Sequence, residues 1–227
     1  MPRHAFARPS AVVFDLDGTL VDTAPDLGRA LNVLLAERGR PPIPLDGIRR
    51  LVGDGAARLV ERGFIASGGM PDDLAILTRR FVAIYAEGIA RLSRPFPGVV
   101  DTLGLLRHAG IALGICTNKP DGLTRQLLDA LDLAQYFSAI SGGDVPARKP
   151  DARHLLGVLA ELAAAPAGCL MVGDSANDVN VARNARVPVV VVSYGYTTTP
   201  PRELGADALI ERFDELPTLL GLQVVRS

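Results

Sequence analysis

Ala11-Val12-Val13-Phe14-Asp15-Leu16-Asp17-Gly18-Thr19 sets four apolar residues directly before two carboxylates and a glycine. The run reads as a strand buried on both faces that ends in a charged turn. Charge beside a core strand is costly unless something pairs with it. Two acids at such a position point to chemical use, and to groups elsewhere in the chain that offset their charge.

Similar apolar runs recur at 111–116, 139–140, 169–172 and 188–192, with a weaker one at 208–210. Helical patterns lie between them, at 99–108, 122–131, 152–162 and 176–184. Strand and helix in alternation predict an α/β fold, a parallel sheet with helices on both faces. Residues 22–92 differ. Leu27, Leu31, Leu34 and Leu35, then Leu59, Val60 and Phe64, then residues 74–89 keep a helical period, and no convincing strand interrupts them. The loops Arg40-Pro41-Pro42-Ile43-Pro44 and Ser67-Gly68-Gly69-Met70-Pro71 separate these helices. The expected organisation is a discontinuous core, 1–21 and 93–227, with a helical unit inserted at 22–92. Arg94-Pro95-Phe96-Pro97-Gly98 marks the return to the core.

The chain has 227 residues, 48% hydrophobic and 22% charged, which are globular values. Its net charge of -1 suggests neither a nucleic acid nor a membrane surface as partner. No apolar run is long enough to span a bilayer, and Met1 to Ser10 lack a signal-peptide stretch. Cys116 and Cys169 form no Cys-x-x-Cys pair, read as small buried hydrophobes, and fit a reducing cytoplasm. Of 24 basic residues only Lys119 and Lys149 are lysines. A lysine is a compact point charge and an arginine a broad planar fork, so each lysine raises the question of why the fork would not serve there.

Polar residues follow the strands in turn. Asp15 and Asp17 follow the first, Thr117 and Asn118 the second. Lys149-Pro150 comes downstream of the third, and Gly173-Asp174-Ser175 with Asp178 follows the fourth. Ligands of open parallel sheets bind outside the carboxyl ends of the strands, so these loops are expected to converge. Four carboxylates cannot share a small site while all are ionised, and a divalent metal resolves the conflict. All-oxygen donors favour Mg²⁺ over zinc. A carboxylate at the strand end can attack phosphorus, and a second one two residues on can move protons. Thr117 and nearby backbone N–H groups suit the phosphoryl oxygens, and Lys149 suits both that group and Asp15.

These residues carry a resemblance. Asp15-Leu16-Asp17-Gly18-Thr19, Thr117-Asn118, Lys149-Pro150 and Gly173-Asp174-Ser175 with Asp178 resemble the four motifs of the haloacid dehalogenase superfamily, in their usual order, over residues 12–196. The resemblance implies a Rossmann-like core with a helical cap domain at 22–92. It implies Asp15 as nucleophile, Asp17 as acid and base, and Thr117 and Lys149 as catalytic partners. Mg²⁺ would be held by Asp15, Asp174 and the backbone carbonyl of Asp17, with Asp178 behind them. Dehalogenating members lack the second aspartate, present here as Asp17. Members that cleave phosphonates use a cap lysine, and residues 22–92 contain none.

Further stretches resemble bacterial phosphoglycolate phosphatases: Ala24-Pro25-Asp26-Leu27, Phe96-Pro97-Gly98-Val99, Thr117-Asn118-Lys119-Pro120, Tyr136-Phe137, Gly142-Gly143-Asp144, Asp174-Ser175-Ala176-Asn177-Asp178 and Tyr194-Gly195-Tyr196. Asp151-Ala152 and Ala185-Arg186 depart from that pattern. The implied substrate is a small phosphorylated metabolite, 2-phosphoglycolate first. A sugar phosphatase or sugar phosphomutase of the superfamily is the nearer alternative, and a non-catalytic phosphate-binding regulatory protein the further one. Substrate contacts are expected from Thr117, Asn118 and Lys149, and from the cap residues Gly53 and Arg58. Arg49, Arg50 and Arg62 compete with Arg58 for a substrate carboxylate. Lys119 reads equally as a site residue and as a solvated one before Pro120. His108 and His154 fall on helical patterns away from the motifs and read as surface or capping residues. Hinges are expected near 20–24 and 92–97, and the assembly is expected to be a monomer or homodimer.

Overall fold

The first strand, β1 (Ala11–Phe14), is wholly buried and lies at the middle of a parallel sheet. The computed structural model describes residues 6–70 and 73–222. Met1 to Ala5 of the N-terminal stretch and Pro71 of the second cap loop lie outside the described residues. After β1 come β2 (Val21–Asp22), α1 (Ala24–Ala36), α2 (Leu45–Arg49), α3 (Ala56–Ala66), α4 (Leu74–Ala86) and β3 (Arg94–Pro95). The chain continues through α5 (Val99–His108), β4 (Ala112–Cys116), α6 (Asp121–Ala130), β5 (Ala139–Ser141) and α7 (Ala152–Glu161). It ends with β6 (Cys169–Gly173), α8 (Ala176–Ala185), β7 (Val189–Val192), β8 (Ala208–Ile210) and α9 (Leu216–Leu219).

The sheet runs β5-β4-β1-β6-β7-β8, all parallel. Side chains alternate across it. Val12 and Phe14 face a core shared with Leu103, Leu106 and Leu127, from α5 and α6. Val13 faces the other, shared with Leu155 and Val158 of α7 and Val179 of α8. Both faces are covered, which is why the strands read as unbroken apolar runs. The chain leaves β1 for β4 and β5 on one side, then crosses to β6 and beyond on the other. The order reverses at β1, and a crevice opens there at the carboxyl ends.

Between β2 and β3, α1 packs on α2, α3 and α4, and α3 on α4. Leu31, Leu34, Phe64, Leu77 and Phe81 are buried among them. The sequence period locates α1, α3 and α4 but misses the five-residue α2 and the ribbon that joins the unit to the core. There, Val21 pairs with Pro95 and Asp22 with Arg94, antiparallel. Strands of two residues have no period to read. The ribbon carries both chain crossings, and Asp26 fastens it. One carboxylate oxygen of Asp26, fully buried, accepts from the N–H of Leu92, the N–H of Ser93 and the Ser93 hydroxyl, each at 2.8 Å.

Burial alone would raise the Asp26 pKa, but the Leu92 and Ser93 donors hold it below the usual aspartate value. A depressed carboxylate contributes stability above its unfolded pKa and loses it as pH falls through the lower folded one. Asp26→Asn should therefore cost about 2 kcal/mol at pH 7, since its amide nitrogen presents hydrogens where donors converge. Urea denaturation at pH 7 and pH 3 checks this. The deficit should shrink at pH 3, and equal stability at pH 7 would overturn it.

Candidate active site

The crevice is built from the loops after β1, β4 and β6, with the Lys149 loop before α7 completing it. The Asp15 N–H bonds the Val172 carbonyl at 2.9 Å, so the first acid is held at the end of the paired strands. Gly18 turns the chain back with φ of +87°. A Cβ there would lie 2.7 Å from an Asp174 carboxylate oxygen and 2.9 Å from the Tyr196 ring, so only glycine fits. The turn thus brings β1's loop hard against Asp174.

Lys149, buried, sits with its Nζ 2.8 Å from Asp15 Oδ1 and 2.6 Å from Asp178 Oδ1. The other Asp178 oxygen accepts from the Asp174 and Ser175 N–H groups and from the Ser175 hydroxyl. Both Asp178 oxygens are engaged, which also caps the start of α8. Asp174 takes the Thr19 hydroxyl at 3.0 Å and the Tyr196 N–H at 2.6 Å. Carboxylate oxygens of Asp15, Asp174 and Asp178 lie within 4.8 Å of one another.

Three buried carboxylates thus face one buried ammonium. Burial raises the Asp15 pKa to about 6; Lys149 opposes the rise and Asp178 adds to it. Asp174 is pushed well up by burial and by the charges of Asp178 and Asp15. Burial works against the Lys149 charge, yet the Asp15 and Asp178 carboxylates hold its pKa above the usual lysine value. The excess negative charge and the all-oxygen donors fit a hard divalent cation.

Two further residues belong to the cluster: Lys119, which the sequence leaves open, and His154, which it reads as a surface or capping residue. Lys119 is buried, which excludes the solvated reading: its Nζ lies 3.1 and 3.3 Å from the Asp17 carboxylate oxygens and donates to the Tyr85 hydroxyl at 2.9 Å. The lysine scarcity was the available signal. His154 is likewise no surface residue. Its Nδ1 accepts the Lys149 N–H at 3.2 Å, and its Nε2 lies 3.1 Å from the Ser141 hydroxyl. Burial and the Lys149 charge lower its pKa to about 4, so at neutral pH it is an uncharged brace for the Lys149 loop. Tyr85 sits on the apolar stripe of α4 and reads as core, although its phenol reaches the site.

Thr117 and Asn118 follow β4, both buried, and line a narrow pocket with Asp15, Asp17 and Lys119. Its volume is about 40 Å³. Gly53, with φ of +123°, lines the same pocket, and its carbonyl accepts from the Asn118 and Asn177 amides, each at 3.3 Å. The helical unit therefore closes directly over the crevice. Arg58 is not brought to this pocket. It pairs with Glu61 and lines a wider polar recess beside Arg62, Arg148 and Asn177 that adjoins the pocket at Asn118 and Lys149. Arg49 pairs with Asp22 and Asp46. His108 ends α5, away from these groups. No helix among the described residues is long and apolar enough to cross a membrane.

Residues 12–192 match the family model of haloacid dehalogenase-like hydrolases. The chain is 48% identical over 211 residues to a phosphoglycolate phosphatase of Caulobacter vibrioides, covering 92% of this chain and 89% of that protein. A crystal structure named as a predicted phosphoglycolate phosphatase from Haemophilus somnus 129pt superimposes with a TM-score of 0.89 at 29% identity, over 94% of this chain and 99% of that one. CbbY from Rhodobacter sphaeroides, solved in complex with phosphate, gives 0.80 at 27% identity, over 94% and 100%. Matched along the whole crevice, from β1 through β7, the chain belongs to the haloacid dehalogenase-like hydrolases.

Proposed function

We propose that the protein hydrolyses 2-phosphoglycolate to glycolate and phosphate through an aspartyl phosphate on Asp15. The observation that carries the reading is a carboxylate pair, buried Asp15 and half-buried Asp17, on the wall of a pocket of about 40 Å³ beneath the helical unit. That narrow pocket suits a small leaving group beside Asp17, and a wider polar recess of about 430 Å³ adjoins it at Asn118 and Lys149. The similarity to the phosphoglycolate phosphatase of Caulobacter vibrioides, at 48% identity, supports the same substrate.

In this reading an Asp15 oxygen attacks phosphorus and the ester P–O bond breaks. The leaving alkoxide takes its proton from Asp17. Water then attacks the same phosphorus, gives a proton to Asp17, and frees Asp15 with inorganic phosphate. Lys149 and the Thr117 hydroxyl balance the charge on the phosphoryl oxygens, with Asn118 beside them. Asp15, Asp174 and the Asp17 carbonyl would hold Mg²⁺, with Asp178 behind. The ion supplies positive charge that lets an anionic nucleophile meet an anionic ester. Residues 22–92 act as a cap that opens for substrate and closes to exclude water, hinged at the ribbon. The cytoplasm suits this activity, since buried Cys116 and Cys169 are both free thiols.

The test is phosphate release from 2-phosphoglycolate with and without Mg²⁺, beside a panel of sugar phosphates. Release should require the metal and favour 2-phosphoglycolate. Mg²⁺ alone should also raise the melting temperature, by an amount equivalent to about 3 kcal/mol at a hundredfold excess over its dissociation constant, and not in Asp174→Asn. Better turnover of sugar phosphates would overturn the substrate. Metal-independent turnover would overturn the mechanism.

A further inference from the structure

The phosphatase reading leaves Lys119 without a task, although it is the second of the chain's two lysines and as buried as the first. Its surroundings are specific. The Nζ touches the Asp17 carboxylate on one side and the Tyr85 hydroxyl on the other, and lies 4.5 Å from the Tyr85 ring centre. Among the charged residues that line the narrow pocket, Asp15 and Asp17 are acids and Lys119 is the cation. The remaining wall is largely apolar, with Leu27, Val52, Leu59 and Phe81. Burying an ammonium in such a wall is costly unless it meets anions.

Position then decides which anion. A phosphate ester placed with its phosphorus against Asp15 presents its ester oxygen to Asp17, and the organic part of the ester must extend past Asp17 into the pocket. Lys119 is one hydrogen bond beyond Asp17, at 3.1 Å. A carboxylate on the carbon next to the ester oxygen reaches roughly 3 Å from that oxygen, a hydrogen-bond length from the ammonium. Arg58 lines the adjoining recess, where it is paired with Glu61, and not the pocket beyond Asp17. A guanidinium fork would also fill a pocket of about 40 Å³ that an ammonium leaves open.

We propose that Lys119 is the specificity residue of the pocket: it binds the carboxylate of a phosphorylated 2-hydroxy acid, and Tyr85 holds it toward that group. The inference rests on the reading of the protein as a phosphatase of 2-phosphoglycolate and deepens it. In the free enzyme Asp17 occupies the ammonium. In the complex the substrate carboxylate shares it.

The experiment compares kcat/KM for 2-phosphoglycolate with kcat/KM for ethyl phosphate, in which a methyl group replaces the carboxylate. Wild type, Lys119→Met, Lys119→Gln and Tyr85→Phe are measured with Mg²⁺. The ratio between the two substrates should fall about 100-fold in Lys119→Met, mainly through a higher KM for 2-phosphoglycolate, and less in Tyr85→Phe. Lys119→Gln should lower the ratio in the same direction and serves if the methionine variant does not fold. The ratio cancels any effect on Asp17, which both esters need. If both substrates lose the same factor, Lys119 acts only through Asp17 and the proposal is overturned while the phosphatase stands. If wild type turns over ethyl phosphate but not 2-phosphoglycolate, the substrate reading fails and takes this inference with it.

Discussion

Asp15→Asn is expected to abolish phosphate release, by roughly 10⁴-fold or more, and to leave the fold in place. The amide has no anionic oxygen for phosphorus, so the proposed aspartyl phosphate should not form. The structural consequence has the opposite sign. Burial raises the Asp15 pKa to about 6, against the opposing charge of Lys149. A carboxylate raised in the fold costs stability once pH exceeds its unfolded value. The penalty grows between about pH 4 and pH 6 and is complete above that. Asparagine carries no such charge, and Lys149 still meets Asp178. Without metal, the variant should therefore gain on wild type as pH rises from 4 to 7, by a difference of order 1–3 kcal/mol. Phosphate release and thermal melting across that range check both halves. Residual turnover within 100-fold of wild type would rule out Asp15 as nucleophile, and a flat melting difference would rule out the charge excess.

Much of this arrangement is legible in the chain because the core strands are buried on both faces. Phe14, Cys116 and Val172 each close an apolar run, and polar residues can begin only where the sheet ends. The positions of Asp15, Thr117 and Asp174 follow from that boundary. Groups that act across distance are harder to read. Tyr85 is spaced as a core residue of α4, and nothing local says that its hydroxyl meets Lys119. His154 lies five residues beyond Lys149, on a helix, and only the fold of the intervening loop turns its ring onto the lysine's own N–H. The β2–β3 ribbon is too short to have a pattern. Arg58 is the converse case. An arginine beside a glycine-rich cap loop suggests a substrate contact, but the adjacent turn of α3 offers it Glu61 first.

Lys149→Arg tests whether the site requires a compact cation rather than a positive charge alone. Every other basic residue except Lys119 is an arginine, so this chain commonly builds with the fork. At Lys149 the space is set by two carboxylates, 2.8 and 2.6 Å from a single nitrogen, with the lysine side chain 1% exposed. A guanidinium needs a wider planar slot and would push Asp15 or Asp178 aside. Asp178 cannot shift freely, because its other oxygen closes the start of α8. Asp15 is then the group that moves, and displacing a nucleophile by about 1 Å costs on the order of 100-fold. We expect Lys149→Arg to lose about 10²–10³-fold in kcat with a modest change in melting temperature. Lys149→Met should lose as much activity or more and also about 3–5 kcal/mol of stability, because three buried carboxylates would then lack their cation. Mg²⁺ should recover part of the stability of the methionine variant and little of its rate, since the ion does not replace the ammonium's hydrogen bonds to Asp15 and Asp178. If Lys149→Arg stays within tenfold of wild type, the fork fits and the compactness argument fails for this lysine.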